Sequence, residues 1–288
     1  MADGPAFEVL SADPPATPLV FASPHSGRLY PAVMLEATAL QPELLRRSED
    51  AFVDEMVAPT ADHGAAVILA RYGRAWMDLN RHAWELDPAM FSDELPEFAR
   101  GRTARVAAGL GAIARLAGEG REIYSRKLTF AEARARVETT HQPYHDALER
   151  LLARARAAHG MAVLIDWHSM PEAAARTAVT PRHGKGCDIV LGDRFGAACT
   201  QKLTNLVEKE LEGMGYRVAR NAPYAGGYTT EHYGRPTQRT HALQIEISRA
   251  LYLDEKTLQP TEGLARLTTD VRRLTAILAD AWPALAPA

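Results

Sequence analysis

Short apolar runs that stop abruptly at small or polar residues alternate with longer amphipathic stretches along this chain. The run at residues 19–22 breaks at Ser23-Pro24-His25-Ser26-Gly27, the pattern of a buried strand ending in a tight loop. Over residues 41–63 the apolar positions Leu44, Leu45, Phe52, Val53, Met56 and Val57 recur every three or four residues, which predicts a helix. Gly64 closes it, as glycine often does at a helix C-terminus.

Two short apolar segments, 65–70 and 75–79, flank Arg71-Tyr72-Gly73-Arg74 and read as strands joined by a basic turn. Residues 102–120 and 130–159 read as helices, the second kinked or broken near Pro143. The run 161–166 is a further buried strand, with Trp167-His168-Ser169 at its emerging end. Strands at 188–191 and 216–219 flank a helix over 195–214, a late strand covers 242–247, and an amphipathic helix over 264–282 closes the pattern. Strands alternating with helices predict one α/β domain whose sites gather at strand ends and the following loops.

Composition narrows the function classes. With 288 residues, 47% of them hydrophobic and 24% charged, the chain is long and apolar enough for a sizeable core. A net charge of -3 offers no basic footprint for nucleic acid or anionic membrane, so neither is expected as a partner. Cys187 and Cys199 are too few and too far apart for a disulfide framework or a structural zinc site, and are expected to be free thiols. No export signal and no bilayer-length apolar run is visible, which points to the cytoplasm.

The candidate chemistry is a metal. Catalytic zinc takes three protein ligands from His, Asp and Glu and keeps a position for water. His25 and His168 each follow an apolar run, and Asp50 lies on the intervening segment predicted to be helical. Together they supply two imidazoles and one carboxylate.

Several ordered motifs resemble one known family. They are Pro24-His25-Ser26-Gly27, Glu49-Asp50-Ala51-Phe52-Val53-Asp54, Tyr72-Gly73-Arg74 with Asp78-Leu79-Asn80-Arg81, and Pro143-Tyr144-His145. Asp166-Trp167-His168-Ser169, Gly226-Gly227-Tyr228 with His232-Tyr233-Gly234-Arg235-Pro236, and Gln244-Ile245-Glu246 follow in the same order. Over residues 20–255 this series is similar to the N-formylglutamate amidohydrolase family. The resemblance implies a three-layer α/β/α fold with a mixed central sheet, zinc-carboxypeptidase-like (phosphorylase/hydrolase-like). It also implies one Zn2+ per chain and hydrolysis of an N-acyl amino acid.

The same resemblance implies roles for residues. His25, Asp50 and His168 are the implied metal ligands, with Glu49 an open alternative to Asp50, since neighbours on a helix point about 100° apart. Glu246 is the implied general base. The alternation Leu243, Ile245, Ile247 against Gln244, Glu246, Ser248 places it on the polar side of its strand. A substrate with two carboxylates calls for cationic clamps, and Asn80-Arg81 resembles the asparagine-arginine pair that grips a carboxylate in zinc carboxypeptidases, with Arg74 and Arg235 as further candidates. Gly226-Gly227-Tyr228-Thr229 reads as a loop over substrate, with Tyr228 or His232 as a donor, and His145 is expected to be structural. Trp167 is expected to narrow the pocket. N-formyl-L-glutamate is the expected substrate. The rival readings are a related metal amidohydrolase acting on another N-acyl amino acid or a peptide, and a non-catalytic metabolite-binding module.

Overall fold

The computed structural model describes residues 4–285, apart from 39, 102, 118–119 and 181–183. The chain divides into two compact units. The first comprises Met1–Glu8, Pro24–Ala51 and Ala70–Ala147; the second comprises Val9–Ser23, Phe52–Leu69 and Leu148–Ala288.

A mixed seven-stranded sheet organises the second unit. Its strands are β1 (Phe7–Leu10), β2 (Leu19–Ser23), β3 (Ala66–Ala70), β4 (Ala162–Met170), β7 (Ile189–Gly192), β8 (Val218–Arg220) and β9 (Thr240–Ser248), in the order β1-β3-β2-β4-β9-β7-β8. Two separate antiparallel ribbons pair β5 (Val179–Thr180) with β6 (Gly184–Lys185) and β10 (Leu253–Asp254) with β11 (Gln259–Pro260). In the main sheet β2 is parallel to β3 and β4, β4 to β9, and β7 to β8, whereas β7 runs antiparallel to β9. All residues of β4 and β9 are buried, although only the first part of β4 reads as a near-continuous apolar run and β9 alternates apolar with polar residues. Among their polar residues, Asp166, His168, Gln244 and Glu246 are buried with the rest and call for specific partners. Helix α3 (Val53–Val57) packs on β2 and β4, α9 (Tyr228–Tyr233) on β9 and β4, α8 (Gln201–Gly213) on β8, and α10 (Gly263–Leu285) on α3 and α8.

The first unit has little regular structure. It contains α1 (Ala32–Ala37), α2 (Pro42–Arg46), α4 (Ala104–Ala107), α5 (Phe130–Arg136) and the start of α6 (Gln142–His159); the remaining short helix, α7 (Glu172–Ala175), belongs to the second unit. A π-helical turn, Val137–His141, joins α5 to α6. This wider turn carries the helix past Pro143, whose ring and missing N–H would break a regular α ladder. The predicted interruption is therefore a bulge in a continuous rod.

Several predicted elements differ. The helix expected over 41–63 stops at Arg46, because the Asp50 amide donates to the His25 carbonyl at 2.9 Å and Phe52 takes a left-handed φ of 65° before α3 begins. Asp50 thus sits in a turn, not on a helix. Residues 75–79 form no strand: the Trp76 amide closes a turn onto Gly73 and the Asp78 amide reaches Ala112 at 2.7 Å. Of the helix expected over 102–120, where 102 and 118–119 lie outside the described residues, only α4 forms among the described residues, and glycines at 109 and 111 interrupt the pattern. Helix α8 begins only at Gln201, since Arg194, Phe195 and Gly196 are all left-handed. The strand expected to end at 166 continues to Met170, so His168 lies inside β4 and does not follow it.

Both cysteines are free and buried. Burial pushes the Cys187 thiol up to about 11 and that of Cys199 up to about 12, so both stay protonated at neutral pH. Among the described residues no helix is long and apolar enough to cross a membrane.

Candidate metal centre

In the first unit, His25 lies in the loop just after Ser23 and is buried. Its Nε2 is 2.7 Å from Asp78 Oδ1, and its Nδ1 is 3.4 Å from Asp50 Oδ2. An ionised carboxylate only accepts, so Nε2 carries the proton and Nδ1 presents its lone pair toward the Asp50 side. Two ligands at about 2.05 Å from a tetrahedral ion stand about 3.3 Å apart, so the pair already has the spacing of one coordination edge.

Asp78 joins this pair to the cationic residues. It accepts from Arg74 Nη2 at 2.7 Å and from the Asn80 amide at 2.9 Å, besides His25. Burial alone would raise its pKa, but Arg74 and then His25 hold the carboxyl well below the usual range. Arg81 donates to the Asn80 and Leu110 carbonyls, and burial draws its guanidinium below the ordinary arginine value. A partly desolvated guanidinium of this kind gains most from an anion.

The 71–81 segment that carries these groups is pinned from two sides. The Leu29 amide donates to the Arg71 carbonyl and the Gly73 amide donates to the Leu29 carbonyl, each at 2.9 Å, and a Cβ on Gly27 would fall 2.2 Å from the Tyr72 carbonyl oxygen. On the other side His145 Nε2 lies 2.9 Å from the Leu79 carbonyl and His141 Nε2 lies 2.9 Å from that of Arg81. Arg136, buried, stacks on Trp76 at 3.9 Å and donates to the Trp76 carbonyl. Glu49 accepts from the Tyr30 hydroxyl at 2.7 Å and from Arg46, so Asp50 is the carboxylate beside His25.

In the second unit, β4 and β9 are in parallel register with His168 opposite Glu246 and Asp166 opposite Gln244. Registered partners and residues two apart on a strand share a face, so all four side chains lie together. His168 Nε2 is 3.0 Å from Asp166 Oδ2, which repeats the imidazole–aspartate arrangement of His25 and Asp78. Gln244 Nε2 donates to Glu246 Oε1 at 2.8 Å. β9 lies between β4 and β7, so Glu246 is on an interior strand. Trp167 is turned to the other face, its ring edge-on to Phe21 at 5.7 Å, so it does not stand beside His168 as a pocket wall.

Other candidates fall elsewhere. Arg235 bridges to Thr240 at the start of β9 and donates to the Glu231 and Gly234 carbonyls. That is six residues, roughly 20 Å of strand, from Glu246, too far for it to clamp a substrate held there. Tyr228 belongs to helix α9, not a loop, and stacks on His232 at 5.0 Å.

The family model for N-formylglutamate amidohydrolase matches residues 17–253. The chain belongs to the N-formylglutamate amidohydrolase family. It is 30% identical over 253 residues to an N-formylglutamate deformylase of Pseudomonas aeruginosa, covering 86% of this chain and 87% of that protein. With the N-formylglutamate deformylase of Pseudomonas putida the identity is 31% over 255 residues, covering 86% of each chain. The crystal structure of N-formylglutamate amidohydrolase from Ralstonia eutropha JMP134 superposes with a TM-score of 0.89 at 36% identity, over 97% of this chain and 98% of that one.

Family motifs implied His25, Asp50, His168 and Glu246, but not what holds them. Asp166 had a signal in the sequence, since it precedes His168 by two residues on a strand. Asp78 stands in the Asp78-Leu79-Asn80-Arg81 motif, where it reads as a partner for Arg74 or Arg81, but nothing there pairs it with His25, 53 residues away; only the folded chain brings those two together.

Proposed function

We propose that this member of the N-formylglutamate amidohydrolase family hydrolyses the linear amide of an N-acyl amino acid, foremost N-formyl-L-glutamate to formate and L-glutamate in histidine degradation. His25, Asp50 and His168 hold one divalent cation, zinc foremost. The observation that carries the reading is the donor set: two buried imidazoles, each with Nε2 engaged by an aspartate, leave two Nδ1 atoms and the Asp50 carboxylate as ligands.

When bound, such a cation polarises a carbonyl oxygen and lowers the pKa of a water to about 7. The protein does the rest of the work. Asp78 and Asp166 keep the imidazoles in the tautomer that offers Nδ1, and Asn80, Arg81 and Arg74 receive substrate carboxylate. Glu246 takes a proton from the attacking water and delivers it to the amide nitrogen as the C–N bond breaks. The formyl carbon leaves as formate and the nitrogen stays with glutamate.

Formate release from N-formyl-L-glutamate, measured before and after chelation and after zinc is restored, tests the reading. Release that disappears with chelator and returns with zinc is expected. Metal-loaded protein that binds the substrate and releases nothing would leave a binding module instead, and preference for another acyl group in a substrate panel would reassign the substrate.

A further inference from the structure

The Glu246 carboxylate is held by a polar chain that the sequence motifs do not assign. The amide of Gly227, at the start of α9, donates to Gln244 Oε1 at 2.8 Å. A backbone N–H can only donate, so this bond settles which end of the Gln244 amide is oxygen. Gln244 Nε2 must then point the other way, and it donates to Glu246 Oε1 at 2.8 Å. Gln244 and Glu246 are both buried, so neither bond competes with bulk water.

What brings Gly227 to this position is an absence of side chain. Gly192, the last residue of β7, is the register partner of Gln244 on β9. A Cβ on Gly192 would meet the Gly226 amide nitrogen at 2.7 Å and the Ala225 carbonyl carbon at 2.8 Å. The 225–227 backbone therefore lies directly over Gly192, beside Gln244. The Arg194 amide holds the same loop from outside, donating to the Ala225 carbonyl at 2.8 Å.

We propose that Gln244 is a positioning residue for Glu246, oriented by Gly227 through the space that Gly192 leaves open, and that it fixes the orientation of the Glu246 carboxylate by donating to Oε1. The role rests on Glu246 acting as the proton carrier. A carboxylate free to rotate about its last torsion would present the wrong oxygen or the wrong angle for much of the time. Geometry of this kind affects the chemical step and leaves substrate affinity and metal binding alone.

The test is steady-state kinetics on N-formyl-L-glutamate with the zinc-loaded protein. Gln244→Met keeps volume and removes both bonds; Gln244→Glu keeps acceptance from Gly227 but loses the donor to Glu246. Both are expected to lower kcat roughly tenfold to a hundredfold with KM within about twofold of the parent and zinc content unchanged. Gly192→Ala, which displaces the loop, should lower kcat in the same way. A kcat within twofold of the parent in Gln244→Met or Gln244→Glu, or a rise in KM at constant kcat, would overturn the positioning role. Should one variant fail to fold, the other Gln244 substitution decides. Turnover retained in Glu246→Gln would remove the reading on which this rests. Turnover lost in Glu246→Gln but kept in both Gln244 variants would remove the positioning role alone.

Discussion

The two imidazole–aspartate pairs are chemically alike and are built in different ways. His168 and Asp166 are two residues apart on one interior strand, and strand periodicity alone puts them on one face with Gln244 and Glu246. His25 and Asp78 come from two loops 53 residues apart, and their meeting depends on the Gly27 contact with Tyr72, the turn at Gly73, and the His141 and His145 bonds to the 79–81 backbone. A pair on a sheet inherits its geometry from the backbone ladder. A pair on loops needs a set of individual bonds, and each is a separate point of failure.

The largest effects should come from the groups proposed to do the chemistry. Glu246→Gln is expected to lower turnover by about 10²–10⁴-fold with metal content unchanged by elemental analysis, whereas His25→Ala or His168→Ala should lose metal and activity together. Next come the two aspartates, where the comparison is sharpest. Asp78→Asn and Asp166→Asn should each weaken metal affinity by about 10–100-fold in a chelator competition. Only Asp78→Asn should also raise KM, because Asp78 anchors Arg74 and the Asn80 amide as well as His25. Equal kinetic profiles for the two would show that the loop pair carries no more than the strand pair.

Arg81→Ala should raise KM about tenfold, the size of one charge-assisted bond to substrate, with kcat little changed; an unaltered KM would take Arg81 out of the binding site. The smallest effect concerns the loop-rich unit's own stability. Arg126 hydrogen bonds to Glu132, which also caps α5 through Thr129, and hold the Glu132 carboxyl down at about 2. A depressed folded pKa contributes stability above the unfolded value near about 4.3, and the contribution fades as pH falls through that range toward 2. Since the pair is solvent-exposed, only a few tenths of a kcal/mol are expected. Thermal unfolding of Glu132→Gln should show a smaller loss between neutral pH and pH 3 than the parent, and an identical loss would discount the pair.

Legibility in the sequence followed the same division. The interior strands were readable because burial leaves near-unbroken apolar runs at 19–22 and 161–166, and because 242–247 alternates apolar and polar residues with the period of a strand. The α/β class and the mixed sheet followed from them and from the family motifs. The loop-rich unit was misread wherever an apolar or alanine-rich stretch looked periodic, at 41–63, 75–79 and 102–120, because long-range bonds redirected the backbone there. Arg235 was misplaced for a related reason: its motif is close to Tyr228 in sequence, but α9 carries it to the far end of β9.

By itself the sequence determined the alternation that puts Gln244 with Glu246, because a strand repeats every two residues whatever surrounds it; that β4 runs on to carry Asp166 and His168 on one face came from the structure. The sequence also carried, in ordered motifs, the family to which the chain belongs. Only the tertiary structure decided that Asp50 and not Glu49 stands beside His25, that Asp78 holds the His25 ring, and that Gly192 makes room for the loop that orients Gln244. Those outcomes depend on contacts between residues tens of positions apart, and no local pattern encodes a distance of that kind.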